Sequence, residues 1–223
     1  MIINKVKELV YQLIAKNESG GYLSPDEFNN YCRMAQNQKL EHELFKRREG
    51  TEVSQSLSEF GTTAPLLIVD GFATLPTDFR YPVSASYTNV ATGNAHVVPV
   101  EELASSEWIY RLSSELDKPD LEYPAYIMRG KGAMEISPKT ISFIDITYIV
   151  NPPNPIWNYT VENNRRVFAE TGGEDGDGNS VDFLFKEEDI PDLVYRIASM
   201  LGLEIRDVEA YQANKSEQIA AEQ

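Results

Sequence analysis

Glu18, followed by Ser19 and Gly20-Gly21, is the first residue of this chain whose setting could support catalysis. Such a glutamate can act as general acid toward a glycosidic bond when an apolar pocket raises its pKa. The residues after Gly21 offer no such pocket. They spell a helix start, and the tight turn is the better reading. Asp175, Asp177 and Asn179 fall at the first, third and fifth places of a calcium loop, where oxygens gather around a hard cation. The sixth place, which requires glycine for the sharp turn, holds Ser180, and the twelfth, which requires a bidentate glutamate, holds Lys186. A polar hairpin tip explains that segment. His42 and His96 have no neighbouring histidine or cysteine, so neither has the spacing of a metal ligand. Cys32 follows Tyr31 on the apolar side of a helical pattern, a core position rather than that of a nucleophile. Arg129-Gly130-Lys131-Gly132 is too short and wrongly ordered for a phosphate loop, which opens a helix with Gly-x-x-x-x-Gly-Lys-Ser/Thr. The 12 tyrosines and two tryptophans are not interleaved with basic residues as a base-stacking surface requires. The sequence therefore offers no catalytic constellation, no metal site and no cofactor site.

The elements around these residues are well marked. Ile3, Val6, Leu9, Val10, Leu13 and Ile14 recur three and four apart, one face of a helix. Asn17-Glu18-Ser19-Gly20-Gly21 stops it, since glycine takes the left-handed C-cap conformation without steric cost. Ser24-Pro25-Asp26-Glu27 opens a second helix as a capping box with proline at its first position. Phe28, Tyr31, Cys32 and Ala35 form that helix's apolar face. A short helical pattern at residues 53–60 is expected to break at Gly61-Thr62-Thr63-Ala64-Pro65.

Strand and turn signals dominate residues 66–185. Residues 66–69 are turned by Asp70-Gly71, residues 81–87 alternate, and Thr92-Gly93-Asn94-Ala95 connects to residues 96–100. Residues 126–128 and 133–136 flank Arg129-Gly130-Lys131-Gly132. Residues 141–150 are the strongest strand, ended by Asn151-Pro152-Pro153-Asn154-Pro155, because proline cannot donate to a central ladder. One helix is expected at residues 101–116, on the spacing of Leu103, Trp108 and Leu112. Strands are expected at residues 159–169 and 181–185. Glu187-Glu188-Asp189 then begins a helix with Ile190, Leu193, Val194, Ile197 and Leu201 on one face, ended by Gly202. A last helix is expected from about residue 206. These patterns predict an α+β fold in a single chain unit: a helical bundle of residues 1–60 and 187–223 with a β-rich insertion at residues 61–186.

The chain has 223 residues, 42% of them hydrophobic, enough for a domain-sized core. No run reaches the roughly 18 apolar residues of a membrane helix, and the opening helix, with Lys5, Lys7 and Glu8, does not read as a signal peptide. A single cysteine excludes an internal disulfide and suits synthesis in a reducing cytosol. Net charge is −15, with 35 acidic against 20 basic residues. Free association with nucleic acid normally needs a basic surface. The one basic cluster, Lys46-Arg47-Arg48, reads as a solvated helix end, or as a contact to an acidic neighbour.

The order of residues from Asn17 to Asn29 (Asn-Glu-Ser-Gly-Gly-Tyr-Leu-Ser-Pro-Asp-Glu-Phe-Asn) resembles the head-to-tail connector proteins, ring or adaptor subunits, of short-tailed and crAss-like bacteriophages. That family begins with a helix rich in Val, Tyr and Leu and a Gly-Tyr-Ile/Leu-Thr/Ser-Pro-Glu-Glu-Phe-Asn corner. Leu75-Pro76-Thr77-Asp78 before Val83-Ser84-Ala85-Ser86-Tyr87 is similar to a Leu-Pro-Ser/Thr-Asp step of the family. Ile144 to Tyr148, followed by Pro152-Pro153-Asn154-Pro155-Ile156-Trp157, resembles its strand ending in tyrosine and its Pro-x-x-Pro-x-Trp element. Ser180-Val181-Asp182-Phe183 is similar to a Ser-x-Asp-Phe strand, and Leu201-Gly202-Leu203 with Arg206-Asp207 to the C-terminal segment. Gln36-Asn37-Gln38-Lys39 follows the family's Gln-Ala-Gln only loosely.

What the resemblance implies is a non-enzymatic virion protein, made in the host bacterial cytoplasm. It would form a homo-oligomeric ring, about twelve-fold, below the portal. The portal, adjoining tail or ring proteins and the passing genomic DNA, contacted without sequence specificity, are the implied partners; no membrane is involved. Acidic charge suits a channel along which DNA slides without sticking. Subunit contacts are expected at Phe28, Tyr31 and Phe45 on the second helix and at Pro152, Pro155 and Trp157. The alternatives are another virion assembly component, a scaffold or fibre adaptor, and a cell-wall lytic enzyme using Glu18.

Overall fold

Seven strands from the middle of the chain close on themselves. In the computed structural model they are β1 (Gly61–Val69), β2 (Phe72–Thr74), β3 (Phe79–Asn89), β4 (His96–Glu102), β5 (Ala125–Met128), β6 (Ala133–Ser137) and β7 (Phe143–Val150). Around the barrel the order is β1-β2-β6-β5-β4-β3-β7. All neighbours are antiparallel except β4 and β5, whose pairs are Glu101 with Ala125 and Glu102 with Tyr126. The structure describes residues 1–16, 23–48, 55–89, 95–130, 132–173 and 178–202. Outside them lie the corner at 17–22 with Glu18, the connection at 92–94, Lys131, Asp175 and Asp177, the helix expected from 206 and the side chains of Arg47 and Arg48.

Alternation builds the barrel core. Ile144, Ile146 and Tyr148 of β7 point inward, and meet Leu66 and Ile68 of β1 and Met134 and Ile136 of β6 in one buried cluster. Asp70 and Gly71 join β1 to β2 with both φ angles positive, 53° and 86°, the geometry of a tight primed hairpin turn. The short helix ends at Phe60, as the Gly61 to Pro65 stretch requires, but the strand expected from Leu66 already begins at Gly61. Pro65 is tolerated because β1 bonds only to β7 at that level, pairing with β2 only from Ile68 onward, so no ladder bond is lost on its other side. The expected helix is shorter than its pattern, α3 (Ser105–Ser113), because Glu101 and Glu102 finish β4.

The chain divides into two compact units: the barrel unit is Phe60–Asn151, and the remaining elements form the other, of residues Met1–Glu59 and Pro152–Gln223. Helices α1 (Ile2–Lys16), α2 (Pro25–Arg48) and α4 (Ile190–Met200) carry its core, with β8 (Tyr159–Glu162) and β9 (Arg165–Phe168) as a separate two-stranded sheet. The capping box at α2 forms: the Ser24 amide donates to Glu27 Oε2 at 2.9 Å and the Glu27 amide to Ser24 Oγ at 3.3 Å. The Ser24 amide and then its hydroxyl, which donates to the same Oε2 at 2.7 Å, hold the Glu27 carboxyl below its ordinary range. Residues 159–169 were expected as one strand, but Asn163 and Asn164 adopt φ of 49° and 60° and turn it into a hairpin. Val181 makes only an isolated bridge with Ile156.

The expectation of a helical bundle with a β-rich insertion is therefore corrected. The described residues hold four helices against nine strands, and seven of those strands close into a barrel with its own core. The physical reason is edge pairing: β1 bonds to both β7 and β2, so no edge strand remains to hang from a bundle.

One polar cluster stabilises the helical unit. Lys39 of α2, almost fully buried, donates to Asp192 at 2.8 Å and meets Asp189 at 3.0 Å. Burial opposes ionisation in both partners, and the hydrogen bonds outweigh it, so Lys39 sits above and Asp192 below its ordinary range. The cluster's stabilisation is present at neutral pH, is lost as pH falls through the lowered Asp192 pKa, and is lost again as pH rises through the raised Lys39 pKa. Lys39→Met is expected to cost about 2 kcal/mol, below the value for a fully buried pair because Asp192 is partly solvated. Denaturant unfolding should give a constant difference from wild type between about pH 5 and 9, shrinking below about pH 4.

Candidate functional site

The residues expected at a subunit contact separate by burial. Phe28 is fully buried, Pro152 and Pro155 are buried, and Tyr31 is half-buried. Only Phe45, 56% exposed, stands in solvent. Trp157 is 2% exposed and is the centre of a network inside the helical unit. Its amide donates to Asn29 Oδ1 at 2.8 Å, and Asn29 Nδ2 donates back to its carbonyl at 3.3 Å. Asn29 thus pairs with the backbone of Trp157 much as a neighbouring strand would. The indole Nε1 donates to Asn4 Oδ1 at 3.0 Å, so the ring joins α1 to the segment after Pro155. Tyr159 stacks on the indole at 5.7 Å and Phe168 lies against it at 6.2 Å.

Lys7 places its ammonium over the Trp157 ring, 2.9 Å from the centroid, and 5.0 Å from that of Tyr11. Burial and then the Arg166 guanidinium pull its pKa down to about 8, against a weaker pull upward from Glu8. Two cations, Lys7 and Arg166, therefore lie among Tyr11, Trp157, Tyr159 and Phe168 in an otherwise acidic chain. Cation–π attraction offsets part of their mutual repulsion.

Other residues of the sequence motifs also act as ties. Asp182 receives the amides of Ile2 and Ile3, both at 2.8 Å, and so caps the start of α1. Ser180 Oγ accepts from the Asn158 amide at 2.9 Å and donates to the Ala169 carbonyl at 2.6 Å. In the barrel unit, Tyr148 donates to Asp78 Oδ1 at 3.0 Å, and the Asn151 amide donates to the Asp78 carbonyl at 2.6 Å. The motif residues bind one another in pairs: Asn29 with Trp157, Asp78 with Tyr148.

The described residues weighed for catalysis or metal binding lie apart from one another. Cys32 is buried, which pushes its thiol well above its ordinary range and keeps it protonated. His42 and His96 are exposed on different units. Among the described residues no group of three His, Cys, Asp or Glu could hold a metal, and no helix is long and apolar enough to cross a membrane. An open cleft of about 430 Å³ on the barrel unit is lined by Glu101, Glu107, Tyr110, Arg111, Leu116 and Tyr123, among others. Arg111 is held there by Glu101 at 2.8 Å and Glu107 at 2.9 Å, which leaves a polar notch without a nucleophile and base in contact.

The features that sequence reasoning missed are apolar and lie on the barrel's outer surface. Leu67, Val69, Phe72 and Phe143 are between 46% and 61% exposed. Leu67 is paired with Phe143 and Val69 with Phe72, so the four are contiguous. A signal was available: Leu66-Leu67-Ile68-Val69 is apolar without alternation, whereas a strand with one wet face should alternate. No protein-family model matches this chain, and no curated protein matches its sequence.

Two expectations follow. Trp157→Ala should destabilise the protein by about 3–5 kcal/mol, as loss of a large buried aromatic does, while Phe45→Ala should stay within about 0.5 kcal/mol; chemical denaturation checks both. Tryptophan emission should titrate with a midpoint near the Lys7 value of about 8. Lys7→Gln should abolish that titration, leaving the pH-independent signal of Trp108.

Proposed function

We propose that this chain is a structural virion protein that forms a ring in the head-to-tail connector of a short-tailed bacteriophage. Its neighbours are then its own copies, the portal above, adjoining ring or tail proteins below, and genomic DNA passing without sequence-specific contact. The observation that carries this reading is the collinear set of family-like motifs, whose residues tie distant segments together: Asn29 to Trp157, Asp78 to Tyr148, and Asp182 to the first turn of α1. A chain sharing the family's fold would need such residues for its fold rather than its surface, and they meet in that way here.

Charge and surface add support. A net charge of −15 disfavours adhesion to DNA moving past. Exposed apolar side chains on a rigid barrel favour assembly with other protein.

The deciding measurement is the copy number of this chain in purified, DNA-filled particles of the phage that encodes it. Quantitative mass spectrometry against portal and major capsid protein should give close to one copy per portal subunit. Absence from the particle would overturn the connector reading in favour of a scaffold or lytic role.

A further inference from the structure

The crossover from β4 to β5 displays large apolar side chains to solvent: Leu116 is 96% exposed, Tyr123 75%, Ile109 68% and Tyr110 66%. Apolar residues scattered singly over a surface need no explanation, but these are gathered. Leu116, Tyr123 and Tyr110 line the open cleft of about 430 Å³ together, and Ile109 precedes Tyr110 on α3. Their display is built into the loop. Ser114 Oγ accepts from the amides of Leu116 at 3.3 Å and Asp117 at 3.0 Å. Asp120 Oδ1 accepts from those of Glu122 at 2.9 Å and Tyr123 at 2.8 Å. The Tyr87 hydroxyl donates to the Leu121 carbonyl and so pins the loop to β3. A surface held in this way loses little further freedom when a partner lands on it.

Charge narrows what can land there. Residues 101–123 carry seven carboxylates against two cations. Arg111 is held between Glu101 and Glu107, which leaves Lys118 as the one other cation against exposed Glu102, Glu115, Asp117, Asp120 and Glu122. The next cation along β5, Arg129, is held by Glu135 at 2.8 Å. Such a rim repels nucleic acid and anionic membrane. A metal ion would leave the apolar side chains wet, and among the described residues no group of three His, Cys, Asp or Glu could hold one. A second copy fits no better. Two crossover faces repel each other. The apolar wall of β7, β1 and β2 is bordered by Asp70 and Lys139 at its turn, by Asp145 and by the Glu135–Arg129 pair, not by a cationic rim. The basic run Lys46-Arg47-Arg48 lies between Glu43 and Glu49.

We propose that the crossover face docks a segment of a different protein in which lysines or arginines flank apolar side chains. The apolar groups enter the cleft against Leu116, Tyr110 and Tyr123, and the cations meet Glu115, Asp117, Asp120 and Glu122 around it, the ordinary division between the centre and the rim of an interface. The rim charges then govern encounter and salt dependence, and the apolar anchors govern how long the complex lasts. Nothing in this docking requires a ring, so it stands or falls separately from the connector reading.

Fluorescence anisotropy with the full chain tests the docking. The probe is a short labelled peptide of repeating Arg-Leu-Leu-Arg, compared with one carrying glutamate for arginine and one carrying serine for leucine. The arginine–leucine probe should bind saturably, the serine probe about tenfold or more weakly, and the glutamate probe not at all. Leu116→Ser with Tyr123→Ser should weaken the first probe about tenfold. Glu115→Lys with Glu122→Lys should weaken it as much and flatten its salt dependence. Leu67→Ser with Phe143→Ser, on the other apolar wall, should leave it unchanged; circular dichroism checks that each variant is folded. The proposal is overturned if the wild-type chain ignores the arginine–leucine probe, if the serine probe binds equally well, or if the Leu67 and Phe143 substitutions cost as much as those at Leu116 and Tyr123. Self-cross-linking of a Leu116→Cys variant by a short bismaleimide, with the native Cys32 buried, would overturn it in favour of a second copy.

Discussion

Closing the barrel depends on one short parallel seam. β4 and β5 share only two residue pairs, extended by the backbone bonds from Glu101 to Pro124 at 3.0 Å and from Leu103 to Tyr126 at 2.9 Å. Parallel neighbours cannot be joined by a tight turn; the chain must cross over and return. That requirement creates residues 103–124 and, within them, α3. The crossover packs Leu103 and Trp108 onto Ala125 and Ile127, a small cluster outside the main core. Inside, Tyr126 is buried, and burial, then the Glu102 carboxylate, raises its phenol far above the usual range. One wall is thus roofed by the crossover, while Leu67, Val69, Phe72 and Phe143 on the β7–β1–β2 wall are exposed. The inequality of the two walls is a consequence of topology before it is a matter of surface composition.

The helical unit solves a different problem. Its chain leaves at Glu59 and returns at Pro152, so its two parts have no local connection. Apolar packing of α1 and α2 with α4 is non-directional and does not fix register. Directional bonds between residues far apart in sequence do: Asn29 with Trp157, Asn4 with Trp157, Asp182 with the amides of Ile2 and Ile3, and Lys39 with Asp189 and Asp192. A side-chain amide that both accepts from and donates to one backbone unit reproduces strand pairing at a point where no strand can form. Such a residue is hard to replace, since leaving a buried partner unsatisfied costs about 1–3 kcal/mol.

Local patterns were legible in the sequence and non-local ones were not. The period of α1, the Ser24–Glu27 capping box, the Asp70-Gly71 turn, the core of β7 and the apolar face of α4 all follow from spacing and turn chemistry within a few residues. Barrel closure does not, because it is set by which strand pairs with which across the chain. The strand was read as starting at Leu66, after Pro65, for the same reason: whether proline is tolerated in a ladder depends on a neighbour that only the fold supplies. The second helix read as four apolar positions, yet it also buries Gln36, Lys39 and Glu43. Buried polar residues have no periodicity of their own when their partners, such as Asp189 and Asp192, lie 150 residues away in sequence. Asn163-Asn164 could have been read as a hairpin turn, since asparagine tolerates the left-handed region better than most residues.

Trp157 and Leu67 show how composition misleads about surfaces. A tryptophan among prolines suggests an interface, because large aromatics dominate binding energies. Here the prolines fix an extended segment whose tryptophan is used internally, with both its backbone and its indole nitrogen satisfied. Leu67 belongs to an ordinary aliphatic run that suggests core, and yet 58% of it faces solvent. The discriminating property is the broken alternation of β1. An amphipathic strand hides one face and wets the other; a strand apolar on both faces retains solvent-facing apolar surface that folding of one chain leaves uncovered. Such surface is tolerated when a second layer of protein covers it.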